Sequence, residues 1–302
     1  MLELENVTKV YRVGAFGKGS LRAVDRACFS IGPGEVCSLI GESGSGKSTL
    51  GKMILKLSPV SSGTIRFEEE DITTISSTKQ LKEYYRKVQG VFQDPFSSFN
   101  PIFKADRVFH IIHREFFPKV ADQDWEKRVH DSLRSVGINP GEVLHKFPHQ
   151  LSGGQLQRLL IARALLLDVK VLVADEIISM LDASTRIDVL NLLALLKKKG
   201  LCVLFITHDL SLGYYISDKA VILYKGVVVE TGTTDAVFLN PVHPYTRKLL
   251  KAVPRLDMKW EDVELEAPRG EIPELFIPGE TPGACTLQQI HEGHFVAVPG
   301  GE

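Results

Sequence analysis

Gly41-Glu42-Ser43-Gly44-Ser45-Gly46-Lys47-Ser48 is the anchor of this 302-residue chain. The run fits G-x-x-x-x-G-K-[ST], a phosphate-binding loop. Val36 to Ile40, just before it, has the length and content of a short buried strand, and Thr49 to Leu55, just after it, reads as a helix. A loop between strand and helix aims several backbone N–H groups at one point, and the helix N-terminus adds partial positive charge there. Gly41, Gly44 and Gly46 bring backbone close to phosphate oxygens because no Cβ intervenes. Lys47 is placed to reach the β- and γ-phosphates, and Ser48 to set its hydroxyl on Mg²⁺. The ligand so implied is a nucleoside triphosphate. The loop is silent on what the energy is used for.

The length allows one large domain or two smaller ones. Hydrophobic residues make up 44% and charged residues 24%, a balance that suits a folded core with a polar surface. A net charge of −1 argues against a broad grip on nucleic acid or anionic lipid. No apolar run nears the roughly 18 residues a membrane span needs. The richest, Leu190 to Ile206, is broken by Lys197-Lys198-Lys199. Met1 to Glu5 lack the basic and apolar regions of a secretion signal. Cys28, Cys37, Cys202 and Cys285 are scattered without a C-x-x-C pair, which reads as reduced cytosolic thiols.

Outward from the loop, Leu2 to Val7 alternates like a half-buried strand, Gly14 to Ser20 reads as an exposed loop, and Ala27 to Ile31 as a strand. Gly32-Pro33-Gly34 turns into the strand before the loop. Thr64 to Phe67 is a strand, Leu81 to Val88 a short charged helix, and Val108 to Val136 mostly helix broken by Pro118. Ser152 is placed to cap a helix from Leu156 to Leu167, and Gly153 and Gly154 make its start a second anion site. Val169 to Ala174 is a buried strand with Asp175-Glu176 at its carboxyl end, where open α/β sheets bind ligands. Asp175 suits the Mg²⁺-binding acid of a phosphate-loop protein, and Glu176 can polarise an attacking water. Taken alone, two such acids also fit a solvated strand end. Ser184 to Lys199 is a helix closed by Gly200, Leu201 to Ile206 a strand delivering His208, and Ala220 to Glu230 a hairpin around Lys225-Gly226. Prolines punctuate the chain after Pro241, which reads as a loop-rich extension with a helix from Tyr245 to Ala252.

Leu151-Ser152-Gly153-Gly154-Gln155 resembles the signature motif of ABC-transporter ATPases. The other motifs of that family stand in its order, from Tyr11 through Gln93 and Val171 to Glu176 to Ser179-Met180-Leu181-Asp182 and His208. The resemblance implies an α/β fold. Its P-loop NTPase core has a mostly parallel sheet with flanking helices, an N-terminal antiparallel β subdomain and a helical subdomain at about 95–165. Residues 1–240 would form the ATPase domain and 241–302 the extension. It implies Tyr11 as an adenine platform and Gly41, Ser43, Gly44, Gly46, Lys47, Ser48 and Thr49 on the phosphates. Ser152, Gly153, Gly154, Gln155 and Asp182 would meet nucleotide across a dimer. Ser48, Gln93 and Asp175 would hold Mg²⁺, with Glu176, His208 and Gln93 in catalysis.

Val91 to Pro101 and Asn240 to Arg247 are similar to the oligopeptide/dipeptide importer branch, and the sequence around Gly46 and after Tyr11 to the second of its two paired ATPases. The resemblance implies a sister ATPase (a homodimer is physically allowed), two transmembrane permease subunits, an extracytoplasmic substrate-binding protein, and a peripheral place on the cytoplasmic membrane face. It implies peptide cargo, with oligosaccharide or nickel as alternatives. A soluble protein of the same family acting on ribosomes or DNA is the different-class alternative, disfavoured by the charge and by the lack of tandem cassettes. Two departures stand out. Ile177 follows Glu176 where the family has proline, and Met180 precedes Leu181 where it has alanine, which suggests a less stiff loop. The tail carries only Cys285 where many members carry a cysteine cluster, and four thiolates are the usual need, so no iron–sulfur centre is expected.

Overall fold

The computed structural model describes residues 1–13, 19–252, 273–281 and 283–300. The chain divides into two compact units, Met1–Ile75 with Leu204–Glu302, and Ser76–Val203.

The first unit opens with β1 (Leu2–Val13) and β2 (Gly19–Ile31). Leu2 and Leu4 are buried while Glu3 between them is exposed, the alternation that a one-sided strand requires. β2 is longer than the sequence suggests because its first four residues, Gly19 to Arg22, are exposed and are brought into the strand by pairing with β1, Val13 to Gly19 and Tyr11 to Leu21. β3 (Val36–Ile40) is buried throughout, α1 (Lys47–Ile54) follows the glycine loop, and β4 (Ser62–Phe67) and β5 (Glu70–Asp71) complete an antiparallel sheet of order β2-β1-β4-β5.

In the second unit, α2 (Thr78–Lys87) begins three residues before its apolar pattern does, because Ser77 and Gln80 form a capping box. It leads into β6 (Val88–Val91). Helices α3 (Arg107–Phe116) and α4 (Asp122–Ser135) flank Pro118, and α5 (Pro140–Val143) is one turn. α6 (Gly153–Leu165), β7 (Val171–Asp175) and α7 (Ala183–Lys198) follow. Trp125, Val129 and Leu133, four residues apart, are the buried stripe of α4, and Ser132 Oγ of that helix donates to the Ala162 carbonyl of α6 at 2.8 Å. β6 and β7 are parallel, with Val88 opposite Val171 and Val91 opposite Ala174.

Strand β8 (Cys202–Thr207) carries the chain back to the first unit, which continues with α8 (Leu210–Ile216), β9 (Lys219–Tyr224), β10 (Val227–Thr233), α9 (Thr234–Leu239) and α10 (Pro244–Lys251), and ends with β11 (Cys285–His291) and β12 (His294–Pro299). There the strand order is β11-β12-β10-β9-β3, with β3 and β9 parallel. Lys225 and Gly226 both have positive φ, 47° and 86°, the two-residue turn that matches strand twist in a hairpin. The extension after Pro241 contributes more than loops and a helix. β12 pairs with β10, Glu230 opposite Val296, and β11 covers the outer edge. Long-range pairing makes these strands, since β11 alternates poorly and stays largely exposed. No helix among the described residues is long and apolar enough to cross a membrane.

Candidate nucleotide site

In the first unit the glycine loop is held from three directions. Its own Lys47, buried at 5% exposure, turns Nζ back to the carbonyls of Gly41 and Glu42 at 2.7 and 2.9 Å. The hairpin turn donates Gly226 N–H to the Ser45 carbonyl at 2.9 Å. The hydroxyl oxygen of Tyr245, on α10, accepts from Glu42 N–H at 2.9 Å. Two glycines are demanded by this close fit. A Cβ on Gly41 would lie 2.2 Å from the Leu223 carbonyl oxygen, and one on Gly46, at φ 107°, 2.4 Å from that of Ala23. A Cβ on Gly44, by contrast, would meet nothing within 4 Å.

Gly46 caps α1 in the left-handed conformation, no side chain caps that helix, and its first turn carries no acid. Such a start favours an anion. Ser43, Gly44 and Ser48 are exposed and Thr49 half-buried around it. In the same unit Tyr11 is half-buried on β1 with the Lys9 ammonium 4.9 Å from its ring centre, and exposed His208 follows β8 directly.

The second unit gathers the remaining predicted residues. Val91 lies opposite Ala174 in a parallel pair, so Gln93 and Asp175 emerge at the same end of β6 and β7. Asp175 is 9% exposed and Gln93 exposed. Both side chains are oxygen donors of the kind Mg²⁺ takes, one or two from protein and the rest from phosphate and water. Among the described residues no three His, Cys, Asp or Glu side chains are gathered to hold a metal by themselves.

Glu176 has φ 49°, a left-handed conformation that costs a non-glycine residue about 1 kcal/mol. The turn after it is well fixed: the Glu176 carbonyl accepts from Ser179 N–H at 3.1 Å and Ser179 Oγ at 2.9 Å. Arg186, which the sequence did not single out, adds Nε to the Leu181 carbonyl at 2.7 Å and Nη2 to that of Ser179 at 3.3 Å. Ile177 and Ile178 are buried at 1% and 3%. Burial and Arg186 thus hold the loop where proline is missing.

Ser152 caps α6. Its hydroxyl accepts from Gln155 N–H at 3.2 Å, and Gln155 Oε1 accepts from Ser152 N–H at 3.0 Å, so the Gln155 side chain serves its own helix. Asp182 caps α7, accepting from Ser184 Oγ at 2.6 Å, Thr185 N–H at 3.0 Å and Thr185 Oγ1 at 2.7 Å. Those bonds, from Ser184 first and then Thr185, hold its carboxyl below the usual carboxylate range. The two helix starts touch. A Cβ on Gly154 would lie 2.7 Å from Thr185 Cγ2, whereas one on Gly153 would sit 3.9 Å from Leu181 and Phe96, in ordinary contact. Sequence reasoning also passed over Arg163 on α6, whose Nη2 donates to the Gly90 carbonyl at 2.9 Å, and Tyr245. Arg163 stands outside every motif, and Tyr245 lies in the Asn240 to Arg247 stretch that marks the branch but says nothing of a place at the glycine loop.

A phosphate loop between strand and helix in the first unit, and two acids ending a strand and a second glycine-bearing helix start in the other, are the marks of an ATP-binding cassette of the P-loop class. The family described as "ABC transporter" matches residues 24–179, and that described as "Oligopeptide/dipeptide transporter, C-terminal region" matches residues 229–289. The chain is 40% identical over 287 residues to the oligopeptide transport ATP-binding protein OppF of Bacillus subtilis strain 168, covering 94% of this chain and 92% of that one. It is also 40% identical over 291 residues to the glutathione import ATP-binding protein GsiA of Escherichia coli strain K12, covering 93% of this chain but 45% of that one. Among solved structures, the ATP-binding cassette MJ0796, a dimer in a post-hydrolysis state bound to ADP and Pi, superposes with a TM-score of 0.70 at 28% identity, covering 78% of this chain and 99% of that one. The chain therefore belongs to the ABC transporter ATPases, in their oligopeptide/dipeptide branch, and is an ATP-hydrolysing enzyme.

Proposed function

We propose that this chain powers a membrane importer of peptides, one ATP being clamped between the glycine loop of one ATPase subunit and the α6 start of a facing one. The observation that carries the reading is a glycine, Gly153, that the chain's own packing does not demand, at a helix start whose cap is already satisfied within the chain. A phosphate oxygen presented from outside would meet N–H dipole there with no side chain on Gly153 itself to hold it off. In this reading Lys47, Ser48 and Thr49 bind the β- and γ-phosphates, Tyr11 supports adenine, and Glu176 orients the attacking water. His208 contacts the γ-phosphate, and Asp182 stiffens the facing loop. Ser48, Asp175 and Gln93 would hold magnesium, which when bound neutralises charge on the phosphates.

Clamping makes ATP binding energy available only in the closed pair, and hydrolysis releases it. That cycle would act on two permease subunits docked beside the segment after Gln93, where Phe96 and Ile102 are exposed at 47% and 76%. The chain would work at the cytoplasmic membrane face with a sister ATPase and an extracytoplasmic binding protein. Peptide cargo is favoured by the name of the oligopeptide relative. Equal identity to a glutathione import protein supports a reading in which the other subunits choose the cargo. The test is Glu176→Gln in the assembled transporter. Turnover should fall about a hundredfold or more, the range for removing a general base, while ATP stays bound in a closed dimer. Undiminished hydrolysis would overturn the role of Glu176.

A further inference from the structure

We propose that Tyr245 is a positioning residue for ATP binding: its hydroxyl fixes the Gly41–Glu42 peptide, and thereby ties the C-terminal extension to the resting place of Lys47. The inference rests on the reading of residues 41–48 as the phosphate loop. Gly41 C=O and Glu42 N–H are the two ends of one peptide group. Lys47 Nζ holds the carbonyl end at 2.7 Å, and Tyr245 Oη holds the amide end at 2.9 Å. Remove the hydroxyl and the amide end of that peptide loses its anchor, leaving Lys47 to hold the carbonyl end without it.

What fixes Tyr245 comes from the extension and the strand it covers. Its ring stacks on Tyr224 with centres 4.0 Å apart. Its own N–H donates to His243 Nδ1 at 3.1 Å, so Nδ1 carries no proton and His243 Nε2–H is left to donate to the Phe276 carbonyl at 3.1 Å. Below it lies Glu230, fully buried on β10. Its carboxylate accepts from Val242 N–H at 2.9 Å, His243 N–H at 3.0 Å and His294 Nε2 at 2.8 Å, the last from β12. Phe276 N–H in turn donates to Ala297 of β12 at 2.9 Å. The hairpin turn that supports Ser45 is touched from the same side, Lys225 Nζ donating to the Pro278 carbonyl at 3.4 Å. Burial raises the Tyr245 phenol to about 12, so it stays neutral at any physiological pH.

Tyr245→Phe keeps the ring stack and removes only the acceptor. In the full-length chain the Kd for both ATP and ADP should rise about fivefold, the worth of one neutral hydrogen bond. Tyr214→Phe, which removes an exposed hydroxyl bonded to Asp235, should leave both unchanged. A merely structural tyrosine would lower the melting temperature and leave Kd alone, and that result overturns the proposal. Lys47→Ala run alongside separates the two readings. If it abolishes nucleotide binding while Tyr245→Phe binds as wild type, the inference falls and the phosphate loop stands. If Lys47→Ala binds ATP normally, the loop reading falls and the inference with it. Amide exchange of Glu42 in the wild-type chain needs no variant: slow exchange at this exposed residue is expected, and exchange at the free-amide rate overturns the proposal.

Discussion

The two glycine-bearing helix starts, α1 in the first unit and α6 in the second, solve the same electrostatic problem in opposite ways. α1 has no side-chain cap and no acid in its first turn. α6 satisfies itself with Ser152 and Gln155. Glycine is distributed accordingly. In the α1 loop, Gly41 and Gly46 are compelled by the chain's own carbonyls, and Gly44 faces open space. At α6 it is Gly154 that packing compels, against Thr185, and Gly153 that has room. An uncapped start must be completed by its ligand, and so binds strongly on its own. A capped start gains only part of its partner's charge, and suits a contact that forms and breaks in each cycle.

The sharpest way to break this contrast is Gly46→Ala. The new Cβ would press on the Ala23 carbonyl at 2.4 Å in a left-handed backbone, so the loop must move. Losing aligned N–H groups worth about 1.5–3 kcal/mol each to a charged oxygen should cut ATP affinity on the order of a hundredfold, measurable by titration of the isolated chain. Retained affinity would mean that the loop geometry is not what binds phosphate.

Much of this was legible in the sequence because the informative residues are local. Gly41 to Ser48 and Leu151 to Gln155 state their own geometry, and β3 and β7 are short apolar runs bounded by turns. What stayed hidden depends on contacts far along the chain. Tyr245 meets Glu42 across 203 residues, and Glu230 meets His294 across 64. β11 and β12 owe their form to β10 rather than to their own pattern. Gln155 shows the converse. The motif marks it as a nucleotide contact, while the structure shows its side chain engaged in the α6 cap, as the Ser152-x-x-Gln155 spacing allows.

A smaller effect, at the other helix, sharpens the comparison. Gly153→Ala meets only ordinary contacts within the chain, so the melting temperature should stay within about a degree and ATP affinity of the lone subunit should be unchanged. If a phosphate approaches α6 from a facing chain, the added methyl group stands in its path. Turnover of the assembled transporter should then fall at least about tenfold, as when a preorganised donor is lost to the reacting group. Wild-type turnover would remove α6 from the reaction. A fall in the lone subunit's stability would remove the distinction drawn between Gly153 and Gly154.

The smallest effect comes from a third helix start, that of α10, which is capped by a group that titrates. His243 is 1% exposed, and burial, opposed by its bond to Phe276 and the Glu230 charge, holds its pKa below the ordinary 6.5. The folded chain keeps it neutral while the unfolded chain protonates it near 6.5. Between its folded value and about 6.5 the unfolded state therefore binds more protons, and stability rises with pH through that window. Going down from pH 7.5 to 5.5, this residue makes the fold less stable, by at most about 1.4 kcal/mol per pH unit. His243→Asn retains a cap acceptor and removes the titration. Its melting temperature should fall less steeply on acidification than that of wild type, by a few degrees over that range. Because Asn cannot reproduce the Nε2 bond to Phe276, the variant should be less stable than wild type at pH 7.5, and only the slope is diagnostic. Parallel slopes would show that the acid sensitivity of this unit lies elsewhere. A flattened slope would show that α10, unlike α1 and α6, is a helix start whose cap weakens with acid.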